Sequence, residues 1–192
     1  MGRYSDGVEV DQGHSRLVRA AGTMNADAVD LVRAMYGRAA SSSSDFLWLA
    51  LASPDRTELT EVASVFGIPA LWVDDALNPQ QRAKVELSHD NSALIVFKVV
   101  AYDEAESAIE TGQIALLVGA SYVLTVRLGP VGTLGKVRRD TTARQEFLAH
   151  GPLAAMHAIT DAIVDGYLFA ADELGRDLDA IEEAVFSPTV TD

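Results

Sequence analysis

The side chains with the clearest capacity for chemistry in this 192-residue sequence are carboxylates. Asp74 and Asp75 are adjacent, and Asp161 and Asp165 are four residues apart in a later stretch. Carboxylate oxygens suit a hard cation such as Mg²⁺, which keeps several waters and takes one or two protein carboxylates. Taken alone, the Asp74-Asp75 pair is typical of a solvated turn, because acidic side chains are mostly exposed.

Asp161 and Asp165 likewise allow two interpretations, a cation site or a solvated surface. Like charges four residues apart cost a helix about 0.2–0.5 kcal/mol, which a bound cation could offset. The alternative is that Asp161 and Asp165 simply keep an exposed helix soluble.

Enzymatic chemistry fits the sequence poorly, and we predict no enzyme. The histidines show no two-histidine spacing of a zinc helix, and each is interpreted as a surface or satisfied residue: His14, His89, His150 and His157. Ser121 lacks the second glycine of a nucleophile elbow. The stretch 132–137 lacks both the glycine spacing of a phosphate loop and a Ser or Thr after Lys136, so it is interpreted as the start of a helix.

Composition narrows the possible partners. The chain has 28 acids against 15 Lys and Arg, for a net charge of -13. This charge argues against nucleic acid or an anionic membrane surface as a partner, since both would repel it. A hydrophobic content of 48% indicates a folded domain, and the absence of cysteine excludes disulfides and thiolate metal sites. No signal peptide is predicted, and the longest span candidate, 114–126, is too short for a membrane.

The order of elements predicts an α/β fold in which a mixed sheet is layered with helices. Segment 1–44 is interpreted as strands near 7–10 and 16–20, a helix from Asn25 to Tyr36 ended by Gly37, and a polar loop. Residues 45–150 are interpreted as the main α/β domain. It begins with a strand covered on both faces at 46–51 and a helix that starts at Ser53-Pro54. Further strands are predicted near 84–88, 93–102, 112–118 and 122–128.

A short helix is expected between Gly67, a left-handed C-cap, and Asn78-Pro79. Leu71, Val73 and Leu77 can bury one side of it, which leaves Asp74 and Asp75 free to project elsewhere.

The C-terminal part is predicted to be helical. One basic helix is expected over 131–149, and a long acidic helix over 152–186 within segment 151–192. Apolar residues of the long helix recur every three or four positions, which predicts packing along another helix, as a helical hairpin or coiled coil, for most of its length of about 50 Å. It contains eight acids and one arginine.

The stretch from Phe66 to Glu86 resembles the signature of the CorA-type magnesium transporters. The residues in register are Gly67, Ile68, Leu71, Asp75, Leu77, Asn78, Gln81, Arg82, Lys84, Val85 and Glu86. Pro69, Ala70, Asp74 and Ala83 depart from the pattern, where the family has His, Pro, Glu and Pro. The resemblance continues in segment 159–167 and at 182–186, and covers roughly residues 45–187.

The resemblance implies the cytosolic, magnesium-sensing domain of a divalent-cation channel, lying at the cytoplasmic face of the membrane. It implies that the acids at Asp74, Asp75 and Asp161 bind Mg²⁺ between subunits, with Asp165 as a further candidate. Co²⁺, Ni²⁺ or other divalent cations are alternatives. The full-length protein is expected to be a homopentamer whose stalk and pore follow residue 192, and this chain alone a soluble monomer or weak dimer without direct membrane contact.

Two other functions remain open at this point. A zinc-transporting relative would have the same cytosolic fold, and a soluble acidic scaffold would use the long helix to bind a protein partner.

Overall fold

The structure is a computed structural model and describes residues 2–5, 8–11, 26–132 and 134–186. Within these residues a seven-stranded sheet has the order β2-β1-β3-β7-β6-β5-β4. The strands are β1 Gly2–Ser5, β2 Val8–Asp11, β3 Asp45–Ala52, β4 Lys84–Leu87, β5 Ala93–Asp103, β6 Ala108–Gly119 and β7 Tyr122–Leu128. The helices are α1 Ala26–Ala40, α2 Arg56–Phe66, α3 Ala70–Leu77, α4 Gly135–Thr142, α5 Gln145–Leu148 and α6 Pro152–Phe186.

The sheet is mixed, as predicted. β3 pairs with β7 in parallel, and every other neighbouring pair is antiparallel. Side chains alternate across a strand, so the apolar strands bury residues on both faces. In β3, Leu47 and Leu49 enter one core, whereas Phe46 and Trp48 enter the other.

Helices cover both faces of the sheet. The first core is closed by α1, α2 and α3, and the second by α4, α5 and α6. This three-layer arrangement confirms the predicted α/β class.

The start of α2 differs from the sequence expectation. Asp55, not Ser53, is the N-cap, and its carboxylate accepts a hydrogen bond from the amide of Glu58 at 2.8 Å. Ser53 has φ 46°, whereas a capping residue needs an extended backbone. The other end of the helix was predicted correctly, because Gly67 at φ 71° is the left-handed C-cap.

Two helix boundaries were also predicted wrongly. α1 continues through Gly37 to Ala40, because Ala39 is fully buried in the first core and packing outweighs the weak helix propensity of glycine. The helix predicted over 131–149 is two short helices separated at Ala143 and Arg144. The Thr141 hydroxyl donates back to the Val137 carbonyl at 2.6 Å, a bond that weakens a helix at its end.

The long helix α6 has the predicted bounds, but its buried side packs on the sheet. Its buried residues are Ala154, Ala155, Ile159, Ile163 and Ala170, and the strand it contacts most is β5. After Ala170 the helix is largely exposed. Pairing with a second long helix remains a prediction, because no such helix lies in the described part of the chain.

The N-terminal segment joins the same sheet through β1, which pairs with β3. The strand predicted near 16–20 lies outside the described residues.

Candidate functional site

Asp74 and Asp75 lie on the short helix α3, and its orientation separates them. The buried residues of α3 are Trp72, Val73, Asp75 and Ala76. Leu71, expected to be buried, is 64% exposed. The helix turns Trp72 inward because the indole packs in the first core and its Nε1 donates to Glu86 Oε2 at 2.9 Å. Asp75 therefore points inward, and the expectation that both acids project away from the core is wrong for this residue.

The carboxylate of Asp75 is held by two side chains from the segment after α3. Lys84 Nζ donates to Asp75 Oδ2 at 2.7 Å, and the Gln81 side-chain amide donates to Asp75 Oδ1. Lys84 also donates to Glu86 Oε1 at 2.7 Å. A buried carboxylate needs such partners, because an uncompensated charge in a core is costly. We call these four residues, Asp75, Gln81, Lys84 and Glu86, the α3–β4 clasp.

The electrostatics of the clasp favour its charged form. Hydrogen bonds to Asp75 and then to Glu86 raise the pKa of Lys84 above its ordinary value. The hydrogen bond from Lys84 lowers the pKa of Glu86. Both pKa shifts favour the charged forms of Lys84 and Glu86.

Asp74 faces solvent on the other side of α3. Its side chain is 54% exposed and pairs with Arg56 at the start of α2, whose side chain is 68% exposed. An exposed pair of this kind contributes little stability, and either partner can exchange it for another ion. Asp74 is therefore the α3 carboxylate that a ligand from outside can reach.

Asp161 and Asp165 lie on α6, where they line an open groove of about 440 Å³ between that helix and α4–α5. Both acids are exposed. The groove is also lined by Lys136, Asp140, Arg144 and His157. The Arg144 guanidinium lies 4.5 Å above the Phe147 ring. The groove therefore carries both signs of charge.

The two pairs of acids lie on opposite faces of the sheet, since α3 closes the first core and α6 the second. Nowhere in the described ranges do three or more His, Cys, Asp or Glu residues come together as a metal site. The oxygen donors suit Mg²⁺, but neither location brings three of these ligands to one point. A complete site would need water or groups from another subunit.

Sequence reasoning placed Gln81, Lys84 and Glu86 in the family signature but missed the contacts that they make in the clasp. Lys84 and Glu86 alternate along β4 and therefore share one face. Their register with Val96 and Leu94 places that face on the α3 side of the sheet. The alternation of Lys84 and Glu86 could be read from the sequence, but the contact of Lys84 with Asp75 could not.

One helix in the described residues, α6, is long and apolar enough to cross a membrane by length and composition. Of its most apolar 18-residue stretch, 28% is buried. Sequence reasoning did not identify this helix as a span candidate. The observation is weak evidence, because helices that pack on soluble cores pass the same test.

Comparison with known proteins identifies relatives over most of the chain. Residues 43–192 match the family described as CorA-like Mg²⁺ transporter protein. The chain is 28% identical over 146 residues to the cobalt/magnesium transport protein CorA of Thermotoga maritima, covering 74% of this chain and 41% of that protein. The curated relatives are much longer, and the chain spans between 16% and 41% of their lengths.

Solved structures show the same fold. The soluble domain of CorA from Methanocaldococcus jannaschii matches with a TM-score of 0.62 at 18% identity, covering 77% of this chain and 58% of that one. The ZntB cytoplasmic domain from Vibrio parahaemolyticus matches with a TM-score of 0.56 at 13% identity, covering 72% and 55% of the two chains.

Proposed function

The chain belongs to the CorA-like Mg²⁺ transporter family, and on that premise we propose that it is the cytosolic magnesium-sensing domain of a divalent-cation channel. The full-length protein would lie in the cell membrane with this domain at the cytoplasmic face. Its subunits would form a ring, which we propose to be a pentamer. Its cargo would be Mg²⁺, with Co²⁺ or Ni²⁺ as related cargo.

The observation that carries the sensing role is the placement of exposed acids on two separate faces of one domain. Asp74 lies on the α3 side of the sheet, and Asp161 with Asp165 on the α6 side. Within one chain these carboxylates cannot share a cation. Between two copies in a ring, the face of one subunit can meet a different face of its neighbour, and a cation there has oxygen ligands from both.

Binding at such an interface would couple Mg²⁺ to the state of the channel. Facing carboxylates repel one another, and the net charge of -13 strengthens that repulsion in a ring of copies. A bound cation cancels the repulsion and favours the closed arrangement. When Mg²⁺ falls, the arrangement without bound metal becomes the more stable one and the pore opens, because a ligand shifts only an equilibrium whose states it binds unequally.

The four carboxylates would not contribute equally. Asp74, Asp161 and Asp165 are open to solvent, so they can take a cation directly or through its waters. Asp75 already has Lys84 and Gln81 on its oxygens and must exchange at least one of them to become a ligand.

The decisive experiment uses the full-length channel and measures its inhibition by internal Mg²⁺. Asp74→Asn and Asp161→Asn should each shift the inhibition curve to higher Mg²⁺ concentration. Glu61→Gln, on the exposed side of neighbouring α2, is the matched control and should leave the curve in place. Unchanged inhibition in both carboxylate variants would contradict the sensing role.

A zinc-transporting relative is the second candidate, favoured by the likeness in fold to the ZntB cytoplasmic domain. A scaffold that binds a protein partner through α6 is the third, favoured by the exposed apolar side chains along that helix. Transport assays with Mg²⁺ and Zn²⁺ distinguish the two channels, and the absence of transport of either ion favours the scaffold.

A further inference from the structure

We propose that Lys84 is a built-in cation that competes with divalent cations for Asp75, and so sets how tightly the α3 surface binds them. This inference rests on the sensing function proposed above. The ammonium lies 2.7 Å from Asp75 Oδ2 and 2.7 Å from Glu86 Oε1. Lys84 thus occupies the point where two carboxylates converge, which is where an external cation would bind.

The other oxygen of each clasp carboxylate is hydrogen-bonded as well. The second oxygen of Asp75 accepts the Gln81 amide, and the second oxygen of Glu86 accepts the Trp72 indole N–H at 2.9 Å. Mg²⁺ bonds its direct ligands at about 2.0–2.1 Å and releases its waters reluctantly. A divalent cation can therefore gain the Asp75 oxygen that faces Glu86 only by displacing Lys84 from a bond that is already short and charge-assisted.

The charge balance points the same way. Asp74, Asp75 and Glu86 supply three negative charges to this surface, and Arg56 and Lys84 supply two positive ones. Removing the Lys84 charge changes the local net charge from -1 to -2 and exposes two converging carboxylates. Because Lys84 lowers the affinity of this surface for Mg²⁺, the surface would bind the cation only at high Mg²⁺ concentration.

A clasp that only stabilises the fold makes the opposite prediction. Losing Lys84 would then loosen α3 and weaken any binding there. Competition by Lys84 predicts that replacing this lysine tightens Mg²⁺ binding, although the substitution removes a stabilising contact. The sign of the change in affinity separates the two roles.

The experiment is a calorimetric Mg²⁺ titration of the 192-residue chain at constant ionic strength. Lys84→Met keeps the length of the apolar stem and removes the charge, and it should bind Mg²⁺ at least about tenfold more tightly than the wild type. The double variant Lys84→Met with Asp75→Asn should lose this gain. Lys98→Met is the matched control, because Lys98 Nζ donates to neutral oxygens of Pro79 and Gln113, both at 2.8 Å. It should change the affinity by less than about threefold.

Equal or weaker binding by folded Lys84→Met overturns the proposal, including the case in which neither protein binds Mg²⁺. If Lys84→Met does not fold, the wild type supplies the test. Saturating Mg²⁺ should speed the solvent exchange of the Lys84 ammonium hydrogens in NMR spectra, and an unchanged rate overturns the proposal.

Failure of the sensing function has a different signature. In that case Lys84→Met still binds Mg²⁺ more tightly, while Asp74→Asn and Asp161→Asn leave inhibition of the full-length channel unchanged.

Discussion

The Tyr102 hydroxyl donates to Asp177 Oδ2 at 2.6 Å and joins the tip of the β5–β6 hairpin to α6 beyond its last buried residue, Ala170. The hydrogen bond to Asp177 raises the pKa of Tyr102 above its ordinary value. One turn before Ala170, the Tyr167 hydroxyl donates to the Lys98 carbonyl. The two tyrosines attach α6 to β5 on either side of Ala170, and only the bond to Asp177 lies beyond the buried part of the helix.

The first prediction concerns this attachment. Tyr102→Phe removes the hydroxyl that bonds both Asp177 and Ser107. Hydrogen exchange of residues 171–186 should therefore become several-fold faster, while the sheet away from this hairpin tip is unaffected. Asp172→Asn, an exposed acid on the same helix, is the control and should leave the exchange rates as they are. Equal protection of 171–186 in Tyr102→Phe and wild type would show that the bond does not restrain the helix.

The second prediction uses two glycines with opposite surroundings. A Cβ on Gly119 would clash with the ring of Tyr122, which is stacked on Phe66 at 4.6 Å between centroids. Because the ring cannot move freely, Gly119→Ala should destabilise the fold by about 1–3 kcal/mol. Gly37 lies inside α1 with nothing within 4 Å, so Gly37→Ala should stabilise it by about 0.5–1 kcal/mol.

Urea denaturation monitored by tryptophan fluorescence measures both changes. Two changes of the same sign would contradict the steric argument.

The sheet and the long helix were predictable because their signals are local. The apolar run at 46–51 and the alternating strands after it determine which residues enter a core, and Gly67 marks a helix end by its backbone alone. The same local logic failed at 131–149, where the helix is interrupted at Ala143 and Arg144 and Leu148 after the break packs in the second core.

The candidate site was predictable only in part, because adjacent acids on a helix point in different directions. Which of them is buried depends on whether Leu71 or Trp72 faces the core. Trp72 does so and donates to Glu86, which lies on β4 fourteen residues later in the sequence. Likewise, the pairing of Asp75 with Lys84 depends on how α3 lies against β4, which no spacing in the sequence reveals.

The third prediction concerns acid stability. Burial raises the pKa of Asp45, but hydrogen bonds from Ser5, Ser42 and Ser44 and the charge of Arg3 outweigh it and hold the pKa below its ordinary value. A lowered pKa in the folded state means that Asp45 stabilises the protein above the unfolded-state pKa of about 3.9, and that this contribution is lost as the pH falls.

Asp45→Asn should therefore be less stable at pH 7 and lose less stability between pH 5 and pH 3. The free energy of unfolding as a function of pH tests this. Parallel curves for variant and wild type would exclude a lowered pKa at Asp45.

The fourth prediction concerns the exposed side of α6. Leu178 and Ile181 are 56% and 60% exposed, so replacing both with Gln should change the free energy of unfolding by about 0.5 kcal/mol or less at each site. If the isolated chain forms the weak dimer expected from its sequence, the pair of substitutions should shift it to monomer in sedimentation equilibrium.

Ile163→Ala is the matched control in the buried half of α6, where Ile163 is 6% exposed. It should cost about 2–5 kcal/mol without changing the association of the folded protein. A dimer that survives Leu178→Gln with Ile181→Gln must use a different surface.

The fifth prediction asks how much of the sensor one chain contains. With about 10 mM Mg²⁺ and a site of about 1 mM affinity, the folded state gains about 1.4 kcal/mol, which raises the melting temperature by a few degrees relative to Na⁺ at matched ionic strength. Asp74 is open to solvent, so Asp74→Asn should remove most of this shift. Asp75→Asn should lower the melting temperature in both salts, because it breaks the buried pair with Lys84. If Mg²⁺ and Na⁺ give equal melting temperatures in the wild type, the carboxylates of one chain form only part of a site, and the ligands that complete it must come from a neighbouring subunit.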